Sequence, residues 1–96
     1  EGLDAVFVGL GDLRLSMTGQ AGFDSSDTVI DDALNAILES ANKHNVKAGL
    51  FTTDPLYAAE MVNRGYQFVT VMTDSVLLSS AAASTIETVR QNIRKL

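Results

Sequence analysis

The sequence predicts an α/β fold, the last three βα units of a (β/α)8 barrel, and three observations lead there. Residues 5–8, 48–51 and 68–72 are short apolar runs, each followed by a polar stretch and then a helical pattern. Their hydrophobicity is continuous instead of alternating, as for strands buried on both faces of a parallel sheet. Three strands and three helices alone leave sheet edges and a helix face uncovered. Residues 1–96 are therefore expected to be the carboxyl-terminal part of a single barrel domain, an architecture of about 250 residues when whole. An open flavodoxin-like sheet lacking two strands is the alternative.

The first run ends at Gly9 and leads into Gly9-Leu10-Gly11-Asp12, with a helix-like turn at Leu13 to Met17. A helix is expected over 28–43, capped by Ser26 or Asp27, with Val29, Ala33, Ala36, Ile37 and Ala41 toward the core and Asp31 and Asp32 near its positive end. The next helix has Asp54 as N-cap and Pro55 at its first position, then Ala58, Ala59, Met61 and Val62, with Gly65 as its stop. A last helix is expected to start near Ser75 or Ser80. It carries Ala82, Ile86, Val89, Ile93 and Leu96, a stripe suited to its own barrel or to a neighbouring subunit.

Composition narrows the function classes. Hydrophobic residues make up 46% and charged residues 20%, which fits a folded domain and argues against disorder. The formal charge is -5, and basic residues are scattered until Arg90, Arg94 and Lys95. A nucleic-acid partner is not expected, because phosphate binding needs concentrated positive surface. The chain has no cysteine, hence no disulfide framework and no thiolate metal site. No apolar run suits a membrane span, and Glu1-Gly2-Leu3-Asp4 does not read as a signal peptide, so a cytoplasmic location is expected.

In parallel α/β folds chemistry gathers at the carboxyl ends of the strands. Here those ends offer Gly9 to Asp12, Thr52-Thr53 and Thr73-Asp74. Asp12 stands out: glycines beside it allow close backbone approach, free N–H groups can meet an anion, and the carboxylate can hold a hard cation. The plainer reading is an aspartate that bonds its own loop or caps the turn after it. Asp54 reads as a cap, and Asp74 as a cap or a pocket residue. His44 sits at a helix end facing away from the strand carboxyl ends, where a cation complements the dipole. Phe51 suits core or pocket wall, and the threonines a hydroxyl-lined pocket. Gly9-x-Gly11 lacks the third glycine of a dinucleotide fingerprint, and no Ser-His-Asp set, Walker lysine or histidine metal cluster can be assembled.

The stretch EGLDAVFVGLGDLRLSM resembles the segment of HpcH/HpaI-type aldolases that reads, in outline, G-(V/L)-D-(A/G)-(V/I)-F-(I/V)-G-P-x-D-L-S-x-(S/D)-(M/L)-G. KAGLFTTDPLYAAEMVNRGYQFVTVMTDSVLL is similar to the family's later strand, helix and G-(A/Y)-x-F-V-(A/T)-V-G-x-D segment. The resemblance runs in the same order over nearly the whole chain. It implies a barrel of the phosphoenolpyruvate/pyruvate type and a lyase that cleaves 4-hydroxy-2-oxo acids to pyruvate and an aldehyde through a metal-bound enolate. By the same resemblance Asp12 is one of two carboxylates on a divalent metal such as Mg2+, Mn2+ or Co2+. The backbone amides of Gly11 and Asp12 receive the pyruvate carboxylate, and Phe51 and Thr73 face the aldehyde side.

Two departures stand out. The family's proline after Gly9 is Leu10, and its glycine in the last strand is Met72. The second carboxylate, the histidine base and the carboxylate-clamping arginine belong to earlier strands of the family, so the isolated 96 residues are expected to be inactive, and no catalytic residue is assigned within them. The expected partners are a small oxo acid and further copies of the chain in a homo-oligomer. Two alternatives stay open: a related C–C lyase or synthase like macrophomate synthase or the citrate-lyase β chain, and a non-catalytic binding module.

Overall fold

In a computed structural model the chain runs β1 (Ala5–Val8), α1 (Leu10–Thr18), α2 (Thr28–Lys43), β2 (Lys47–Thr52), α3 (Pro55–Arg64), β3 (Phe68–Val71) and α4 (Asp74–Asn92). The structure describes residues 1–22 and 26–94. The strands form one parallel sheet in the order β1-β2-β3, with Phe7 opposite Gly49 and Gly49 opposite Phe68. Three parallel βα units are thus present, as the apolar runs imply. The stretch after β1 holds more than a turn: α1 starts at once from Gly9, which caps it without a side chain.

Local chemistry explains the other boundaries. Asp27 and Asp54 each accept a bond from the N–H two residues on, at 3.1 and 2.8 Å, and so cap α2 and α3. Gly65 ends α3 at φ 122, a backbone conformation that favours glycine. The cap of α4 is Thr73, whose Oγ1 accepts from the Val76 N–H at 3.3 Å; Asp74, expected as cap or pocket residue, is the first helical residue and accepts from the Ser75 N–H. Met72 sits just before it at φ 61, a left-handed conformation easier for the glycine of the family pattern.

The core lies between one face of the sheet and α2 and α3. Val8, Ala48, Leu50 and Tyr66 meet Ile30, Leu34 and Leu38 of α2, and Tyr57 and Met61 of α3. The buried stripe of α2 is therefore Ile30, Leu34, Leu38 and Ala41, one position round from the expected face; Val29 and Ala36 are exposed. The larger Ile and Leu side chains bury more apolar area than the alanines beside them, and that sets the helix rotation. In α3, Ala59 and Val62 face outward while Tyr57 goes in. Arg64 joins the two helices, bonding Asp31 of α2 at 2.6 Å and Glu60 at 2.7 Å. The Asp31 hydrogen bond, then that of Glu60, raises the Arg64 pKa.

The other face of the sheet is uncovered. Phe7 and Phe68 stand on it either side of Gly49, their ring centroids 5.9 Å apart, and they are 53% and 64% exposed. Helix α4 buries no residue and leaves Ile86, Val89 and Ile93 open; Lys95 and Leu96 lie outside the described residues. The molecule measures 68 × 27 × 21 Å with a radius of gyration of 17.8 Å. A compact chain of this length would have about 12–13 Å.

Candidate active site

The carboxyl ends of β1 and β2 open onto a cleft of about 290 Å3 lined by Leu10, Gly11, Gly22, Phe51, Thr52 and Thr53. Its size suits a small ligand. The floor is the start of α1, whose first N–H groups, those of Leu10, Gly11 and Asp12, have no carbonyl one turn back to bond. Such groups, with the positive end of the helix dipole, favour a carboxylate or phosphate. Among the described residues, a Cβ built on Gly11 would meet nothing within 4 Å.

Asp12 lies in this first turn, exposed, with its carboxylate folded back over Gly9. A Cβ on Gly9 would sit 3.0 Å from Asp12 Oδ2. Gly9 has φ -90, so its role is to leave space and not to adopt an unusual backbone. Gly11 and Phe51 thus share the cleft, and Asp12 stands beside it on the same turn. Thr73 is elsewhere: it does not line the cleft, and its hydroxyl caps α4. Thr52 is buried, its hydroxyl donating to Thr70 O across the sheet at 3.0 Å.

Arg14 carries no mark in the sequence that sets it apart. From the second turn of α1 its Nη1 donates to Ala21 O at 2.8 Å and its Nη2 to Gln20 Oε1 at 3.1 Å. Its Nε lies 3.6 Å from Asp27 Oδ2. Nothing in the spacing signals this, because the partners are a carbonyl and residues six to thirteen positions away.

A second cavity of about 280 Å3 opens on the other side, between the start of β1 and the end of α2, with Val6, Ile37 and His44 in its lining. His44 Nδ1 is bonded to Ser40 O at 2.8 Å, which places the histidine away from the first cleft, as its helix-end position implies. Among the described residues no group of three or more His, Cys, Asp or Glu side chains could hold a metal ion, and no helix is long and apolar enough to cross a membrane. One carboxylate is a poor site for a divalent cation, so the donors present do not fit a metal by themselves.

Similarity extends along almost all of this arrangement. The chain is 30% identical over 89 residues to a hydroxypyruvate/pyruvate aldolase of Paraburkholderia phytofirmans, an alignment covering 93% of this chain and 34% of that protein. The aldolase of the same name from Cupriavidus necator is 33% identical over 84 residues, 85% of this chain and 30% of that protein. The one from Rhizorhabdus wittichii is 29% identical over 90 residues. The chain is a distant homologue of hydroxypyruvate/pyruvate aldolases. That is the relationship the HpcH/HpaI resemblance leads one to expect. The chain spans about a third of the length of these curated relatives. No protein-family model matches it.

Proposed function

We propose that the chain is the carboxyl-terminal part of an aldolase barrel, and that in the whole protein it contributes the anion-binding half of a site for pyruvate and related 2-oxo acids. The observation that carries this reading is the cleft at the strand ends, lined by Leu10 and Gly11 at the uncapped start of α1 with Asp12 in the same turn, within the stretch shared with hydroxypyruvate/pyruvate aldolases. The uncovered Phe7–Phe68 face supports the barrel, since closing the sheet would turn that face inward and fill it with side chains. The relatives, about three times as long, have the length a closed barrel needs.

In this reading the Gly11 and Asp12 amides hold the substrate carboxylate, and Phe51 walls the cleft and excludes water. Preorganised donors of this kind stabilise charge that develops beside them. Thr73, at the end of β3, is assigned to the aldehyde side on the resemblance alone. Asp12 is assigned as one of two carboxylates on a divalent metal, which would supply Lewis acidity when bound. Its partner ligand would come from outside these residues, so no step is derived through the metal. The apolar stripe of α4 is assigned to contact with a neighbouring copy.

The test is a chimaera of the Cupriavidus necator aldolase carrying this chain in place of its matching 84 residues. Exchange of pyruvate methyl protons for deuterium, followed by mass spectrometry with and without Mn2+, reports enolate formation. Metal-dependent exchange that Asp12→Ala lowers by about a hundredfold or more is the expected result. A chimaera that is folded by circular dichroism yet inert would overturn the reading.

A further inference from the structure

We propose that Arg14 is a positioning residue, a latch that holds the segment after α1 in place as one wall of the cleft. The chain leaves α1 at Gly19, whose φ of 73 turns it back along the helix, and reaches the cleft at Gly22, at φ 88. Residues 19–22 are exposed and belong to no regular element. The Gly19 N–H donates to Leu15 O and the Gln20 N–H to Thr18 Oγ1; beyond them the guanidinium holds the segment, with one bond to the Ala21 carbonyl and one to the Gln20 side chain, while the Asp27 carboxylate lies 3.6 Å from its Nε as an ion pair and not a hydrogen bond.

The geometry makes the latch specific. A planar fork can meet a carbonyl, an amide oxygen and a carboxylate at once, whereas an ammonium offers a single point charge. Arg14 and Asp27 are shielded, at 17% and 20% side-chain exposure, so their pairing is less screened than a surface ion pair. Asp27 also caps α2, so one side chain couples α1, the returning segment and the start of α2. Gly22 stands against it: a Cβ there would lie 3.7 Å from Arg14 Nη1. The wall position at Gly22 is therefore set from behind by Arg14, which does not itself line the cleft.

That the wall matters to an oxo acid rests on the function proposed above, and the experiment separates the two. Amide hydrogen exchange is measured on the full chain, wild type against Arg14→Met and Arg14→Lys. Exchange at the Gln20 N–H, which donates to Thr18 Oγ1 at 3.2 Å, is expected to quicken about tenfold in Arg14→Met, with β2 and α3 unchanged and Arg14→Lys intermediate. In the active chimaera the same methionine variant should raise the KM for pyruvate about fivefold and change kcat by less than about twofold, a split that general loss of folded protein does not produce. Unchanged exchange at Gln20, or exchange that quickens equally throughout the chain, would overturn the latch. Quickened loop exchange with an unaltered KM would overturn its role in the site. An inert wild-type chimaera with quickened loop exchange in Arg14→Met would leave the latch standing and sink the aldolase reading.

Discussion

Two glycines in the sheet region carry no side chain for different reasons, and alanine at each should separate function from stability. At Gly9 the new Cβ would fall 3.0 Å from Asp12 Oδ2, the free end of a flexible side chain. The carboxylate can swing aside, so Gly9→Ala should cost less than about 1 kcal/mol of stability. In the chimaera the same change should lower pyruvate exchange about tenfold, because the carboxylate has been displaced. At Gly49 the Cβ would lie 2.5 Å from the Phe68 carbonyl and 3.1 Å from both Phe7 Cδ2 and Phe68 Cβ. The obstacle there is backbone, so Gly49→Ala should destabilise by about 1–3 kcal/mol, read as a lower denaturant midpoint. At this scale the sequence showed Asp12, because a lone acid after a strand is visible in a string of letters. It did not show Arg14, whose partners meet only after Gly19 has turned the chain.

Among the elements, the best-read were those whose ends are chemically marked. Asp54, Pro55 and Gly65 bracket α3, and Asp27 opens α2, so both helices came out of the sequence nearly to the residue. Helix α1 was read only as a turn, since its first residues include Gly11 and its apolar residues form no clear stripe. The buried face of α2 differs from the expected one where alanine competes with larger neighbours, a contest decided by packing and not by periodicity. Tyr66 is an example of what packing adds: it follows Gly65, reaches across to α2, and donates its hydroxyl to Leu34 O at 2.7 Å. Burial, with Tyr57 nearby as a smaller cause, pushes its pKa up to about 12 from 10.0. Below pH 10 both folded and unfolded chains keep this proton, and the full stability is present. As pH rises from 10 towards 12 the unfolded chain loses it first, so stability should fall by on the order of 2 kcal/mol. Denaturant midpoints at pH 8 and pH 11.5 test this. Tyr66→Phe should be weaker by about 1 kcal/mol at pH 8, having lost the hydrogen bond, and should show a shallower alkaline decline. Some decline should remain, because burial raises the pKa of Tyr57 as well.

For the molecule as a whole, the uncovered surfaces matter more than the core. A parallel sheet clothed on one face only, and a 19-residue helix with no buried residue, do not form a closed hydrophobic unit. The sequence could show that three βα units are too few, but not that α4 would stand apart, since the spacing of Ile86, Val89 and Ile93 suits packing within a barrel as well as against another copy. With that stripe open, the chain should self-associate through α4, and light scattering across a concentration series should give masses above that of a single chain. The double variant Ile86→Glu, Val89→Glu places two charges on the stripe without removing any buried side chain. It should keep the helical circular dichroism of the wild type and shift the mass towards the monomer. Wild-type mass equal to one chain throughout, or association undiminished in the double variant, would show that α4 is not the contact. The Phe7–Phe68 face would then be the surface to alter next, for it is another apolar area the fold leaves open.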